Sequence, residues 1–169
     1  MTKIQIKSNS ASSDNDLRNE LYGYLTRAHT HESFLDVVKG IPEKIMNKKV
    51  SGVPYSLWGL LEHIRVTQHD MVDFITNPDY KELSWPDNYW PDPKAKATKK
   101  IWNESAKGYI TDLDTFKTII KNPTVDLSTP IAWGDGQTIF REALQIIDHT
   151  SYHTGEFILL RRALGAWKK

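Results

Sequence analysis

Helical periodicity is the feature of this chain that most limits its possible folds. Apolar residues recur three and four positions apart in four long segments, approximately residues 14–38, 57–75, 95–121 and 137–166. Amphipathic segments of this length bury their apolar faces best against one another. The sequence therefore predicts an all-α fold, a four-helix bundle. It forms a single domain over residues 14–169, preceded by a flexible polar arm at residues 1–13.

The connection between the second and third predicted helices has an unusual composition. Residues 76–93 hold four prolines and four large aromatic residues. Proline at this density excludes a regular helix, whereas the aromatic residues favour an ordered segment. We therefore expect a long, ordered, aromatic and proline-rich loop. It either covers one end of the bundle or borders a functional site, with Trp85, Tyr89 and Trp90 as its anchors.

Composition excludes several classes of function. The chain has no cysteine, so disulfides, thiolate ligands and a cysteine nucleophile are excluded, and any metal must take nitrogen or oxygen ligands. A net charge of +1 gives no general attraction to nucleic acid or to an anionic membrane. There is no signal-peptide pattern and no apolar stretch long enough to span a bilayer. We expect a cytoplasmic protein without nucleic-acid or membrane partners.

His149 and His153 lie four residues apart on the fourth predicted helix. This spacing places both imidazoles on one helix face, where they can bind a single metal ion, and the helix holds them rigidly. Thr150 follows His149, so the His-Glu-x-x-His motif of zinc proteases is absent. The pair is therefore either an incidental helix pair or two ligands of a different kind of metal site.

Two further histidines are predicted to lie on apolar helix faces. His63, in the second helix, is either a hydrogen-bonded core residue or a third ligand contributed by a facing helix. His31, in the first predicted helix, has three open roles: a fourth ligand, a hydrogen-bond partner of a ligand, or a core residue. Three neutral imidazoles suit zinc, nickel or iron(II) and leave positions for water or substrate.

Two carboxylates are candidates for supporting roles. Glu156 lies three residues beyond His153 on the same face, where it can orient a ligand imidazole, bind the metal, act as a base, or simply stand at the rim. Asp70 lies two turns beyond His63 and is a weaker candidate of the same type.

Three stretches resemble the DinB-like superfamily of metal-binding proteins, and the resemblance covers nearly all of the chain after residue 14. They are SLWGLLEH at 56–63, DHTSYHTGE at 148–156 and LRRALGAW at 160–167. The resemblance implies an up-down-down-up four-helix bundle and a metal bound by His63, His149 and His153. The family usually has glutamine where this chain has Glu156, so the role of an amide there does not carry over.

The resemblance also implies a cofactor and partners. The metal is expected to be zinc or nickel, with iron or manganese as further possibilities, and the protein is expected to be a homodimer. Characterised relatives include transferases and isomerases that use low-molecular-weight thiols, so the resemblance implies a small-molecule substrate such as a thiol of this kind.

Four hypotheses about function follow. The first is a metal-dependent enzyme with a three-histidine site, a transferase using a low-molecular-weight thiol, in which Glu156 is the catalytic candidate. The second is a metal-dependent hydrolase, because the same ion lowers the pKa of water to roughly 7. The third is a non-catalytic stress or binding protein held together by its metal, which a closed coordination shell would favour. The last is a metal-free bundle.

Overall fold

The protein is all-helical in the computed structural model, which describes residues 10–27 and 30–167. Within those two ranges there is no strand, so the predicted all-α class is confirmed. The helices are α1 (Ser10–Thr26), α2 (Phe34–Val38), α3 (Glu43–Met46), α4 (Leu57–Thr76), α5 (Lys99–Lys121) and α6 (Ile139–Ala163). Most of the arm expected at residues 1–13 lies outside the described residues, and its last four positions belong to α1.

The prediction of one continuous first helix over residues 14–38 is wrong. α1 ends at Thr26, and α2 begins only at Phe34. Ser33 starts the second helix afresh, because its side chain accepts a hydrogen bond from the backbone N–H of Asp36 at 3.1 Å. As a result, His31 lies exposed in the connection between the two helices, and its predicted place on an apolar helix face is also wrong.

The predicted second helix agrees closely with α4. Ser56 caps its start by accepting a hydrogen bond from the backbone N–H of Gly59 at 3.2 Å, as its position before the apolar run predicted. One face of α4 carries Leu60, Leu61 and Ile64, which have no exposed surface. This face holds the helix firmly in the core and fixes the direction of the side chains beside it.

α5 and α6 correspond to the third and fourth predicted helices but start later, at residues 99 and 139 instead of about 95 and 137. In each case a threonine just before the helix, Thr98 or Thr138, accepts a hydrogen bond from a backbone N–H of the first turn. Gly165 follows α6 with φ of 68°, the left-handed conformation that glycine adopts readily at helix ends.

The long helices enclose two apolar clusters. α4 packs against both α5 and α6, and α1 packs against the same two helices. One cluster involves α2, α4, α5 and α6, including Phe34, Leu60 and Phe157. The other involves α1, α4, α5 and α6, including Leu21, Val72 and Phe116. Together these contacts hold α4 and α6, the two histidine-bearing helices, side by side.

The segment between α4 and α5, residues 77–98, has no helix. Its end is tied to the chain before α4, because the Asn47 side chain both donates to and accepts from the backbone of Ala97, each bond at 2.8 Å. Tyr89 is buried within the segment, and the Trp85–Pro86 peptide bond is cis. The segment is therefore anchored at the end that precedes α5 and near its middle.

Over the described ranges, none of the helices combines the length and the apolar character that crossing a membrane requires.

Candidate metal centre

Three histidines from two helices converge on one point. His63 comes from α4, and His149 and His153 come from successive turns of α6. One ring nitrogen of each lies within 4.8 Å of those of the other two. His63 and His153 are 2% and 7% exposed, and His149 is partly buried. The helix packing thus gathers three imidazoles away from bulk water.

A backbone carbonyl fixes the orientation of His63. Nδ1 of His63 lies 2.9 Å from the carbonyl oxygen of Tyr89, in the segment between α4 and α5. A carbonyl oxygen can only accept a hydrogen bond, so Nδ1 carries the proton. In the neutral ring Nε2 then presents a lone pair, the form in which an imidazole binds a metal.

A carboxylate fixes His153 in the same way. Its Nδ1 donates to Oε2 of Glu156 at 2.6 Å, one turn further along α6. Nε2 of His153 is left free to bind a ligand. Among the roles considered for Glu156, this contact corresponds to orienting a ligand imidazole, since the carboxylate lies on the nitrogen that is not needed for a metal.

His149 completes the group and is held neutral. Its Nε2 lies 3.3 Å from Nε2 of His63, and its ring centroid lies 4.4 Å from that of His153. Burial, followed by the proximity of His153 and His63, lowers the pKa of His149 to about 3. Burial also lowers the pKa of His63, against the opposing effect of its bond to Tyr89. Neutral rings are the ones that can bind a metal.

The donor set fits a divalent metal ion. Two nitrogens bound at about 2.0–2.1 Å to one tetrahedral ion lie roughly 3.3 Å apart, which is the separation of the His63 and His149 Nε2 atoms. With both Nδ1 positions occupied at His63 and His153, the lone pairs of these rings are directed away from their hydrogen-bond partners. His63, His149 and His153 are thus the residues that could hold the ion.

Aromatic side chains surround the histidines. The Trp90 ring stacks on His63 with centroids 3.9 Å apart and planes 1° from parallel. The Tyr55 ring stacks in turn on Trp90, with ring centroids 5.0 Å apart. The ring of Tyr152 meets His153 edge to face at 4.8 Å. These aromatic contacts restrict access of water to the imidazoles from several sides.

Two tyrosines also interact with Glu156. Burial and then the interaction with Glu156 raise the pKa of Tyr55 to about 12. The charge of Glu156 raises the pKa of the exposed Tyr152 as well. Both phenols therefore stay protonated beside the carboxylate that orients His153. Tyr55 was not predicted from the sequence, although its position directly before the Ser56 cap places it at the start of α4.

The structure does not bring the remaining candidates into the group. His31 is exposed, with Nδ1 2.8 Å from the carbonyl oxygen of Glu32. Asp70 accepts hydrogen bonds from the hydroxyls of Tyr80 at 2.9 Å and Tyr89 at 2.7 Å. Within the described residues, the possible metal-binding group consists of His63, His149 and His153. Asp70 is thus part of a neighbouring arrangement, two turns along α4.

Comparison with known proteins gives no match to a family model, to a curated protein or to a solved structure.

Proposed function

We propose that this protein is a metal-dependent enzyme of the DinB-like superfamily that transfers a low-molecular-weight thiol to an electrophilic small molecule. The observation that carries the proposal is the 3.3 Å approach of the His63 and His149 Nε2 atoms, with His153 completing the group. His63 and His153 are held in the tautomer that a metal ligand requires. Zinc or nickel is the proposed metal, because three neutral imidazoles suit both ions.

The proposed architecture is an up-down-down-up four-helix bundle of α1, α4, α5 and α6. Contacts at 65 with 108 and at 69 with 112 support a parallel α4–α5 pair. Residue 18 of α1 contacts residue 120 of α5, whereas residues 24 and 25, later in α1, share a cavity wall with residues 109 and 113, earlier in α5. These contacts support an antiparallel α1–α5 pair. His63 contacts His149 of α6, and Asp70, later in α4, shares a cavity wall with Glu142, earlier in α6. These positions support an α6 that runs antiparallel to α4.

A divalent ion bound by three imidazoles supplies Lewis acidity, which lowers the pKa of a thiol or of water that reaches it. Glu156 keeps His153 in position through its 2.6 Å bond, and the Tyr89 carbonyl does the same for His63. Trp90 covers one face of His63 and limits water there. A dry, rigid setting of this kind strengthens electrostatic effects on a bound nucleophile.

A small-molecule cavity adjoins this group. It has a volume of about 420 Å³ and is lined by Tyr55 and Trp90 together with three prolines of the loop, Pro86, Pro91 and Pro93. Its size is that of a small-molecule site. Tyr55 and Trp90 belong both to the cavity wall and to the surroundings of the histidines. This position supports a small organic substrate. A homodimer, as in relatives that the sequence resembles, is part of the proposal.

Cobalt substitution tests the proposed function. The metal-free protein is titrated with Co²⁺, and β-mercaptoethanol, methanol and acetate are then added separately while absorbance is recorded. The thiol should produce a thiolate-to-cobalt charge-transfer band, whereas the alcohol and the carboxylate should not. The control is His69→Ala, which alters an exposed histidine of α4 and should leave the band unchanged. A Co²⁺ spectrum that does not respond to β-mercaptoethanol contradicts the transferase and favours a non-catalytic, metal-stapled protein.

A further inference from the structure

A second cavity lies along the α4–α6 groove, beyond the three histidines. It has a volume of about 600 Å³, and its wall includes Thr67, one turn after His63, and Gln145, one turn before His149. Trp85 and Tyr89 also line it. Both also touch the metal-centre residues, because the Tyr89 carbonyl bonds His63 and the Trp85 ring centroid lies 6.5 Å from that of His63. A ligand here would therefore lie next to the histidine group.

Negative charge dominates the lining of this cavity. Four carboxylates, those of Asp70, Glu82, Asp135 and Glu142, face one guanidinium, that of the exposed Arg141. Glu142 is 5% exposed. No ion pair formed by the described residues includes Glu142. A buried carboxylate without a paired cation is costly in its charged form, and a cationic ligand would supply the missing charge.

The hydrogen bonds of the two inner carboxylates leave room for another donor. Asp70 accepts hydrogen bonds from two tyrosine hydroxyls, as described above. The amide of the exposed Gln145 donates to Glu142 Oε2 at 2.9 Å in the orientation that satisfies both groups. Each carboxylate oxygen can accept more than one hydrogen bond. Asp70 and Glu142 line the same cavity. Burial raises the pKa of Glu142, the charge of Arg141 opposes this shift, and the charge of Asp70 adds to it.

A buried hydroxyl provides an independent indication of a ligand. Thr67 is 8% exposed and lines the cavity, and its Oγ1 has no hydrogen-bond partner among the described residues. Buried polar atoms are rarely left unpaired, because each costs about 1–3 kcal/mol. The hydroxyl oxygen can accept a hydrogen bond, as the neighbouring carboxylates can. The cavity thus offers hydrogen-bond acceptors, whereas a site for an anion would offer donors.

Aromatic rings complete the wall. Phe74, Tyr80, Trp85, Tyr89 and Trp133 all line the cavity. The Phe74 and Tyr80 rings meet edge to face at 5.1 Å, and Trp133 is fixed by a 2.7 Å bond from its Nε1 to the Phe74 carbonyl. The faces of such rings attract cations. Acidic acceptors and aromatic faces therefore favour the same kind of ligand.

We propose that this cavity binds the protonated amino group of a small molecule whose remaining part extends to the histidine group. Asp70, Glu142 and the Thr67 hydroxyl accept hydrogen bonds from the ammonium, which is a donor of three hydrogen bonds and accepts none. The inference rests on the proposed function, since it names the chemical class of a substrate for that site. It makes the electrophilic partner of the thiol, or the thiol itself, an amine.

Titration calorimetry with benzylammonium chloride tests this inference on the full chain loaded with zinc. Benzyl alcohol, of nearly the same shape but uncharged, is the matched ligand. Benzylammonium should bind saturably and at least tenfold more tightly than the alcohol. Glu142→Gln should lower the affinity for benzylammonium by roughly tenfold or more, because a charge-assisted hydrogen bond is lost. Asp70→Asn provides a second variant with the same expectation. Glu104→Gln, the same change on an exposed side chain of α5, should have no effect.

The outcomes separate this inference from the proposed function. Equal binding of the two ligands, no saturable binding of benzylammonium, or unchanged binding in both acidic variants overturns the amine site. Zinc titration of Glu142→Gln should give the wild-type affinity. His149→Ala should lose zinc while keeping benzylammonium. If zinc fails to bind to the wild-type protein and benzylammonium still binds, the proposed function fails and the amine site stands.

Discussion

Nε2 of His63 and Nε2 of His149 lie 3.3 Å apart, although the two residues are separated by 86 positions. His63 cannot supply a proton to this contact, because its proton is on Nδ1, bonded to the Tyr89 carbonyl. The contact therefore joins a lone pair either to an N–H of His149 or to an ion shared by both rings. The third imidazole, His153, stands within reach of the same point, which favours the shared ion.

Loss of the carboxylate at Glu156 should weaken metal binding. Glu156→Ala removes the acceptor of the His153 Nδ1 proton, and the loss of such a partner lowers metal affinity by about 10–100-fold. Glu156→Gln keeps an acceptor oxygen at the same place and should lose less. Zinc affinity is measured by competition with a chromophoric chelator. Equal affinities for the wild type and for Glu156→Ala would show that the carboxylate does not position the ligand.

Nickel should quench the fluorescence of Trp90. This ring is stacked on His63 with centroids 3.9 Å apart, so it lies close to an ion bound by the imidazoles. In Trp90→Phe, Ni²⁺ should bind but quench the remaining tryptophan fluorescence much less. The matched control is Trp133→Phe, which removes a ring bonded to the Phe74 carbonyl. In this control Ni²⁺ should quench the fluorescence as it does in the wild type. The same quenching in both variants would place the ion elsewhere.

Acid should destabilise the metal-free protein through His149. Its pKa is lowered from 6.5 to about 3 in the folded chain, so between these values the unfolded chain binds more protons than the folded chain. Stability is therefore present above the unfolded pKa and is lost as the pH falls below it. The free energy of unfolding should fall by up to roughly 1.4 kcal/mol per pH unit for this histidine.

Urea unfolding at pH values between about 7 and about 4 measures this dependence, since histidines titrate in that range. His149→Asn removes the titrating group and keeps a polar side chain. Its stability should decline less steeply with acid than that of the wild-type protein. Identical slopes for the two proteins would mean that His149 does not stay neutral in the folded chain.

A buried arginine ties α6 to the end of α2. Arg161 donates to the carbonyl oxygens of Val37 at 2.6 Å, Lys39 at 3.2 Å and Ala166 at 2.9 and 3.0 Å. Arg161→Met leaves these acceptors without their donor and should lower the free energy of unfolding by roughly 2–4 kcal/mol. Arg162→Met, at the exposed neighbouring position, should change it by less than about 0.5 kcal/mol. Similar losses in both variants would contradict a specific role for Arg161.

Much of the helical structure and the pair His149 and His153 could be predicted because both depend on local spacing. His63 was added from its place on an apolar helix face and from the resemblance to a known family. Ser56 stands before an apolar run, and the i,i+4 spacing of His149 and His153 fixes their common face. The same reasoning failed where the apolar spacing continued across the break after Thr26. There, Ser33 caps the start of a separate helix, although the apolar periodicity predicts one continuous helix.

The surroundings of the histidines were harder to predict, because they depend on the path of a segment without periodicity. The carbonyl of Tyr89 and the ring of Trp90 reach His63 only through the folding of residues 77–98 over α4. The sequence does indicate that Glu142 lies near the histidines, since it stands seven residues before His149 and so shares its helix face. An acidic residue in the first turn of a helix is, however, commonly explained by the helix dipole alone.

Elemental analysis of the purified protein tests the central claim most directly. Metal content per chain is determined for the wild type, for the double variant His149→Ala/His153→Ala, and for the exposed-site control His69→Ala. Circular dichroism confirms that each variant remains helical. We predict one divalent ion per chain in the wild type and in the control, and none in the double variant. A double variant that retains the full metal content would contradict the three-histidine site.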